Sequence, residues 1–326
     1  MHSYTAALRQ WLSRDASFAL ATVVDLYGSA PRPIGTTMAV SRDEAVLGGV
    51  SGGCVEADLV ARAASAVDEG EALTVGYGPD DGIFGVGPTC GGTMEIRLQP
   101  VITPAARAAI GETLAALDDG RAATLVLSRD GGHVEPGDPG LPDDTAEVRG
   151  DALVLRFAAR PALLVVGAVD IADTLAALAA ATGYTVTVCD ARPTFATAER
   201  VPHAHRVVCA RPDEFVAAAD VDARTAIVVL SHDPKFDVPV LAHAATTAAF
   251  FVGAIGSRAT HRARIDALRE RGVPDDAIAR IASPVGLDLA AVTPRETALS
   301  ILSGVVAARR GGTGAPLHAT DVAIHR

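Results

Sequence analysis

Short apolar runs alternate with helical segments between residues 161 and 310, and this alternation constrains the fold more than any other feature of the sequence. The runs are continuous, as expected for strands buried on both faces, and they cover residues 162–166, 185–188, 206–208, 226–230 and 250–253. Such a pattern is typical of a parallel α/β sheet. We therefore predict the α/β class, with a Rossmann-like, doubly wound parallel-sheet domain that follows a smaller α/β domain rich in glycine and cysteine.

The domain boundaries are predicted from turn-forming residues. A chain of 326 residues suits about two domains, and Gly and Pro concentrate between 130 and 140. We predict a Gly- and Cys-rich N-terminal domain over 1–100, a connecting helix and strands over 101–160, the Rossmann-like domain over 161–310 and a loosely ordered tail over 311–326.

Helix ends in the second half are marked by capping residues. A helix from about 171 to 182 is followed by Gly183, which suits a C-terminal cap. The last helix is predicted to begin after Thr293, because Pro294 follows this N-cap and Glu296 completes a capping box.

Composition excludes several classes of protein. The net charge of −11 argues against nucleic-acid binding, which favours a basic domain. Mean hydropathy is positive, but the apolar runs are far shorter than the about 20 residues that span a membrane. The N-terminus has no secretory pattern, and the four cysteines show no CxxC spacing, so we expect free thiols and a cytoplasmic protein without a membrane span.

The N-terminal region carries a glycine-rich turn with a cysteine. An apolar strand up to Val50 is followed by the run Ser51, Gly52, Gly53, Cys54, Val55, Glu56, which leads into a helix that reaches Gly70. Backbone N–H groups at such a helix start can bind an anion, and a thiol there has a lowered pKa. The alternative is that the glycines only form a turn and that the cysteine is a small buried residue.

Two further N-terminal loops have the same character. Cys90 is followed by Gly91 and Gly92, and the run from Gly28 to Gly35 contains Ser29 and Arg32. Two thiols beside glycines suit a phosphorylated ligand that also presents a soft atom, since thiolates prefer soft metals and sulfur. Arg32 would clamp a phosphate, although a solvated surface arginine is equally compatible with the sequence.

The first turn of the second domain departs from a dinucleotide-binding turn. Gly167 is followed by Ala168, Val169 and Asp170, so a valine stands where the second glycine of G-x-G-x-x-G is expected. Asp190 follows at a distance close to the roughly 20 residues that suit a ribose-binding carboxylate. The turn is either a degraded NAD(P) site or a Rossmann turn that holds no dinucleotide.

Two later loops follow predicted strands at the edge where α/β sheets bind ligands. His232 and Asp233 lie in the first, and His232 would act as a general acid or base or simply end the strand. Gly256, Ser257 and Arg258 precede a helix and form a second candidate anion site. Zinc is not indicated, since the sequence has no HExxH and His203 and His205 have no third ligand nearby in sequence.

Together these runs resemble the xanthine dehydrogenase accessory factor family (XdhC/CoxI). The resemblance covers about residues 15–310 and rests on six ordered motifs, which lie at 28–35, 51–56, 90–92, 231–237, 256–258 and 284–289. It implies a maturation chaperone that holds the molybdenum cofactor (molybdopterin), supports its sulfuration and delivers it to a xanthine or carbon monoxide dehydrogenase-type enzyme. The implied partners are the apo-molybdoenzyme and a cysteine desulfurase. A homodimer is expected only because twofold dimers are the commonest assemblies. The family has Gly-Ala-Gly-His at the Rossmann turn, from which this chain departs.

We therefore expect an accessory factor rather than an enzyme. Cys54 would be the soft ligand or sulfur relay and a possible molybdenum contact, Cys90 an auxiliary thiol and His232 the acid–base group. The cofactor-binding residues would be Ser29, Arg32, Ser51, Gly52, Gly53, Cys54, Glu56, Cys90, Gly91, Gly92, Gly167, Asp190, His232, Asp233, Gly256, Ser257 and Arg258. The alternative is an NAD(P)-binding oxidoreductase that uses the second domain, against which Val169 and Asp170 argue.

Overall fold

The chain divides into two units in its computed structural model, which describes residues 1, 4–28, 32–53, 55–78 and 92–321. The first unit comprises Met1–Ala159, and the second begins at Arg160. Residues 101–159, most of the segment that the sequence predicts as a connection, belong to the first unit.

A five-stranded antiparallel sheet forms the first part of the first unit. Its order is β3-β2-β1-β5-β4, and the strands are β1 (Phe18–Tyr27), β2 (Thr37–Ser41), β3 (Val46–Gly48), β4 (Leu73–Tyr77) and β5 (Thr93–Val101). The helices of this unit are α1 (Thr5–Ser13), α2 (Glu56–Glu69) and α3 (Pro104–Asp118). A second antiparallel sheet has the order β7-β6-β9-β8, with β6 (Ala123–Leu127), β7 (Gly132–Pro136), β8 (Thr145–Arg149) and β9 (Ala152–Phe157).

Strand β1 contributes side chains to both hydrophobic cores of the first unit. Its side chains alternate between the faces of the sheet, as in any strand. Ala19 and Ala21 lie in the cluster that contains α2, and small side chains there let the helix pack closely. Phe18 and Leu20 lie in the other cluster, which includes residues of α1, α3 and the second sheet. The strand is therefore buried on both faces although the sheet is antiparallel.

The second unit contains a six-stranded parallel sheet, which confirms the predicted doubly wound fold. Its order is β12-β11-β10-β13-β14-β15, with β10 (Ala162–Val166), β11 (Thr185–Asp190), β12 (Arg206–Cys209), β13 (Thr225–Val229), β14 (Phe251–Ala254) and β15 (Ile281–Ala282). The helices are α4 (Asp170–Ala181), α5 (Pro212–Ala218), α6 (Pro234–Ala244), α7 (Arg258–Glu270), α8 (Asp275–Ala279) and α9 (Pro294–Arg310). The strand order reverses between β10 and β13, so the switch point where such folds bind ligands lies at their carboxyl ends.

Capping residues set the helix ends as the sequence predicts. Thr293 and Glu296 form both hydrogen bonds of the capping box of α9, and Gly311 ends the helix in the left-handed conformation. Gly70 ends α2 in the same way. None of the helices in the described ranges has the length and apolar character needed to cross a membrane.

Candidate functional site

Three glycine-rich segments of the first unit leave the same end of the five-stranded sheet. β1 ends at Tyr27, where it pairs with the first residue of β5, and β4 ends at Tyr77 beside the second residue of β5. β3 ends at Gly48, which pairs with the second residue of β2. A Cβ atom on Gly28 would lie 3.3 Å from the Cα of Gly92, so two of the segments approach closely. The fold thus brings the segments that follow Tyr27 and precede Thr93 together, while the segment after Gly48 leaves the sheet in the same direction from the level of Ala21.

Several predicted site residues lie outside the described part of the chain, namely Ser29, Cys54, Cys90 and Gly91. Their described neighbours are at the sheet end just defined. Val55 is fully buried, whereas Gly52 and Gly53 are exposed. Arg32 is exposed, and it makes no ion pair with any described residue. Among the described residues, no carboxylate therefore neutralises the Arg32 guanidinium.

The carboxylate of Glu56 occupies the helix-start loop. Its Oε1 accepts from the N–H groups of Val50 (3.1 Å), Ser51 (2.8 Å) and Gly52 (3.1 Å). Its Oε2 accepts from the N–H groups of Gly53 (2.9 Å) and Val55 (3.2 Å) and from the hydroxyl of Ser51. Partial burial opposes ionisation, but these hydrogen bonds outweigh it and lower the pKa of Glu56 to about 2.

This arrangement differs from the expectation that the N–H groups of Ser51, Gly52 and Gly53 are free to bind an external anion. The physical reason is that Glu56, six residues or fewer from each donor, reaches back and supplies an internal anion. Gly52 and Gly53 have φ of +90° and +118°, which turns their N–H groups inward. A Cβ on either would meet nothing within 4 Å among the described residues, so no described residue covers the outer side of the loop.

A second contact fixes the same end of the sheet. The hydroxyl of Tyr77 donates to Asp58 Oδ2 at 2.7 Å, and Arg62 Nε donates to the same oxygen at 2.7 Å. Tyr77 is almost fully buried, and this burial, with the adjacent carboxylate, raises the pKa of its phenol. Neither Asp58 nor Tyr77 is among the predicted site residues, although Asp58 stands in the first turn of the helix after the cysteine motif.

In the second unit, Gly167 brings two strand ends together at the switch point. It has φ of +107°, and a Cβ there would lie 3.0 Å from the backbone nitrogen of Ser231. Glycine is required for this approach between the ends of β10 and β13. The predicted loops at Gly167 and at His232 are therefore neighbours.

Asp190 is engaged by the protein itself. Oδ2 accepts from the N–H of Ala168 at 2.9 Å and from Arg192 Nη2 at 2.7 Å, while Oδ1 accepts from Arg192 Nε at 2.9 Å. Burial opposes ionisation of Asp190, but the bonds from Arg192 and Ala168 prevail and lower its pKa. The first turn of α4 also carries Asp170 and Asp173. A carboxylate already paired and an acidic helix start both disfavour a dinucleotide at this turn.

The loop after β13 presents exposed polar groups. His232 is exposed, and Asp233 caps α6 by accepting from the N–H of Lys235 at 3.2 Å. The Lys235 ammonium lies 2.9 Å from Asp233 Oδ2, and its hydrogen bond lowers the pKa of that carboxyl. His232 is thus free to meet solvent beside the switch point.

The turn before α7 is used partly for capping. Ser257 Oγ accepts from the N–H of Thr260 at 3.1 Å, so the predicted anion site has one donor already engaged. Gly256 has φ of +148°, and a Cβ there would lie 3.1 Å from Arg264 Nη1. Arg258 is exposed, and it forms no ion pair within the described ranges.

A buried ion pair, which no sequence motif indicates, lies behind these two loops. Arg264 Nη2 donates to Asp237 Oδ2 at 2.6 Å, and both side chains are almost fully buried. Both residues stand in or near the six motifs, but nothing local indicates that they pair. Among the described residues, no three His, Cys, Asp or Glu side chains cluster as metal ligands.

Family comparisons match both units. The model described as "XdhC and CoxI family" matches residues 11–78, and the model described as "XdhC Rossmann domain" matches residues 163–305. Both matches cover motifs that carry the resemblance.

Individual relatives are similar over nearly the whole chain. A protein of Escherichia coli named molybdenum cofactor insertion chaperone PaoD is 30% identical over 299 residues, covering 89% of this chain and 83% of that protein. A Bacillus subtilis protein named as a probable xanthine dehydrogenase subunit is 27% identical, with 95% and 98% covered. A solved structure from Bacillus halodurans, described as a xanthine dehydrogenase, superposes with a TM-score of 0.75 at 24% identity and shares the fold over 97% of this chain and 98% of that one.

Proposed function

The chain belongs to the XdhC and CoxI family, and on that premise we propose that it is a chaperone that binds the molybdenum cofactor and inserts it into a xanthine dehydrogenase-type enzyme. The names of the relatives support the broad role, because one is called an insertion chaperone and another is named for xanthine dehydrogenase. The role is that of an accessory factor that acts in the cytoplasm on an apo-enzyme.

The observation that carries the proposal is that two glycine-rich segments meet at one end of the first unit's sheet and that a third leaves the sheet toward the same end. The cofactor combines a phosphate with a metal held by sulfur. The exposed Arg32 supports recognition of the phosphate, while Cys54 and Cys90 supply soft sulfur donors for the metal or its dithiolene.

Glu56 is assigned a different role from the cofactor binding that the sequence predicts for it. Because its carboxylate holds five N–H groups, we assign it the task of shaping the loop rather than touching the cofactor. The phosphate would then approach Arg32 and the outer side of Gly52 and Gly53. With this assignment, the cofactor phosphate does not compete with the Glu56 carboxylate for the same backbone N–H groups.

Sulfuration and delivery form the finer part of the proposal. Cys54 would accept or relay sulfur that a cysteine desulfurase supplies, and Cys90 would assist it. Within the second unit, we assign His232, Asp233 and Arg258 to cofactor binding at the switch point, with His232 as the acid–base group. A homodimer is the expected assembly.

The test is to purify the chain from cells that make molybdopterin and to assay bound molybdenum and pterin together. A Cys54→Ser variant should lose most of the molybdenum and fail to activate an apo-molybdenum hydroxylase. Cys209→Ser is the matched control, because Cys209 is an exposed thiol in the second unit and should leave both measurements unchanged. Normal loading and activation by Cys54→Ser would remove Cys54 from the proposal, and absence of molybdenum and pterin from the unaltered chain would refute it.

A further inference from the structure

The Asp237–Arg264 ion pair lies behind the two loops that follow β13 and β14. Asp237 stands in the first turn of α6, and Arg264 stands in the middle of α7. Their side chains are 1% and 6% exposed, and the two groups meet at 2.6 Å. The pair is thus a charged contact between two helices in an environment almost closed to water.

Each partner also binds one of the loops. Asp237 Oδ1 accepts a hydrogen bond from the hydroxyl of Ser231, which follows β13 after Leu230. Arg264 Nη1 donates to the carbonyl oxygen of Ile255, directly after β14, at 2.6 Å. The ion pair therefore completes a continuous polar link from Ser231 to Ile255 across the edge of the sheet.

Stability alone gives little reason for such a pair. Removing two charges from water is costly, and a pair of well-packed apolar side chains is often at least as stable. What apolar side chains cannot do is bind the Ser231 hydroxyl and the Ile255 carbonyl. The useful property of the pair is therefore the geometry that it imposes on the loops.

The position of Gly256 agrees with this view. The turn crosses so close to the guanidinium that a Cβ at Gly256 would lie 3.1 Å from Arg264 Nη1. Asp237 also accepts the hydrogen bond of Ser231, the residue next to His232, so the same carboxylate lies near the exposed histidine of the first loop.

We propose that Asp237 and Arg264 are positioning residues that hold the loop carrying His232 and the turn carrying Arg258 in one fixed arrangement at the switch point. The inference rests on the proposed function only in taking these loops to contribute to cofactor binding. Neither residue needs to touch the cofactor, because each acts through the backbone or side chain that it holds.

The decisive variant replaces the pair by apolar residues, Asp237→Leu with Arg264→Met. Its midpoint of thermal unfolding should stay close to that of the unaltered chain, because both buried charges are removed together and only the Ser231 hydroxyl and the Ile255 carbonyl lose a partner. Retention of molybdenum and pterin should nevertheless fall about tenfold, since misplaced binding groups weaken function steeply. A stable double variant that retains both at the normal level would overturn the proposal.

Amide hydrogen exchange provides a readout that does not depend on the cofactor. In the double variant, residues 231–236 and 255–260 should exchange faster, while the rest of the second unit is unchanged. If the unaltered chain binds no cofactor, the proposed function fails, and faster exchange confined to these loops still supports the positioning role. Unchanged exchange in both loops would refute it.

One further variant tests the proposal if the double variant does not fold, and a second serves as its control. Arg264→Lys keeps the charge but cannot bind Asp237 and Ile255 with two separate nitrogens, so it should show the faster exchange at 255–260 even if the double variant does not fold. Behaviour of Arg264→Lys identical to the unaltered chain would overturn the proposal. The matched control is Arg269→Met with Asp275→Leu, which removes an exposed ion pair between α7 and α8 and should change neither readout.

Discussion

Tyr77 donates a hydrogen bond from its hydroxyl to Asp58 at 2.7 Å, and this single contact joins the end of β4 to the first turn of α2. The helix α2 directly follows the segment with Cys54, and β4 precedes the segment with Cys90. The contact is partly shielded from water because Tyr77 is only 3% exposed.

Tyr77→Phe should lower the free energy of unfolding by about 1–2 kcal/mol, because a buried hydrogen bond to a charged group is lost while the ring still packs. Asp58 keeps its bond from Arg62, which limits the loss. Urea unfolding measures the change. Tyr27→Phe is the control, since Tyr27 is 82% exposed at the same end of the sheet and should change stability little. Equal effects of the two substitutions would contradict the role assigned to Tyr77.

Glu56 should make stability depend on pH in the acid range. Its folded-state pKa is lowered from 4.5 to about 2, so its contribution is fully present above the unfolded value and is lost as the pH falls through the folded value. After allowance for solvent screening the contribution is about 1–2 kcal/mol. Urea unfolding at pH 6 and pH 2.5 should show a smaller pH dependence for Glu56→Gln than for the unaltered chain.

Glu69→Gln is the control for this measurement. Glu69 is exposed at the far end of the same helix and should leave the pH dependence intact. A Glu56→Gln variant that loses stability on acidification as steeply as the unaltered chain would show that Glu56 does not hold the loop as an ionised carboxylate.

The helix ends and the parallel sheet are predicted well because both depend on residues that are close together in the sequence. The bounds of α9 follow from Thr293, Glu296 and Gly311, whose capping contacts involve residues within the same few turns. The parallel sheet follows from apolar runs bounded by turns, because strands buried on both faces need little else to be recognised. The fold class and the family were therefore accessible before any coordinates.

The contacts that decide the site were not accessible in this way. Glu56 is visible in the motif, but the donors that its carboxylate reaches depend on the positive φ of Gly52 and Gly53, which the sequence does not specify. Asp237 and Arg264 are 27 residues apart and meet only because α6 and α7 pack beside each other. Long-range contacts of side chains, unlike caps, leave no local pattern.

Two buried threonines that face each other across β1 and β2 should respond in opposite directions to loss of the hydroxyl. Thr22 Oγ1 is buried and has no hydrogen-bond partner among the described residues, whereas Thr37 Oγ1 lies 2.6 Å from the Tyr4 hydroxyl. Thr22→Val should raise the free energy of unfolding by about 1 kcal/mol, and Thr37→Val should lower it by about 1–2 kcal/mol. Urea unfolding of both variants checks the signs. Destabilisation by Thr22→Val would show that its hydroxyl has a partner such as a buried water.

The two cysteines of the parallel sheet should differ sharply in reactivity. Cys189 is fully buried, and burial raises the pKa of its thiol to about 11, so on the order of one molecule in a thousand carries the thiolate at pH 8. Cys209 is exposed. In a background with Cys54→Ser and Cys90→Ser, an aromatic disulfide reagent at pH 8 should therefore modify one thiol rapidly and the second only after unfolding in urea. Adding Cys209→Ser to that background should abolish the rapid phase. A rapid phase that survives this change would mean that Cys189 is open to solvent, contrary to its position in the core.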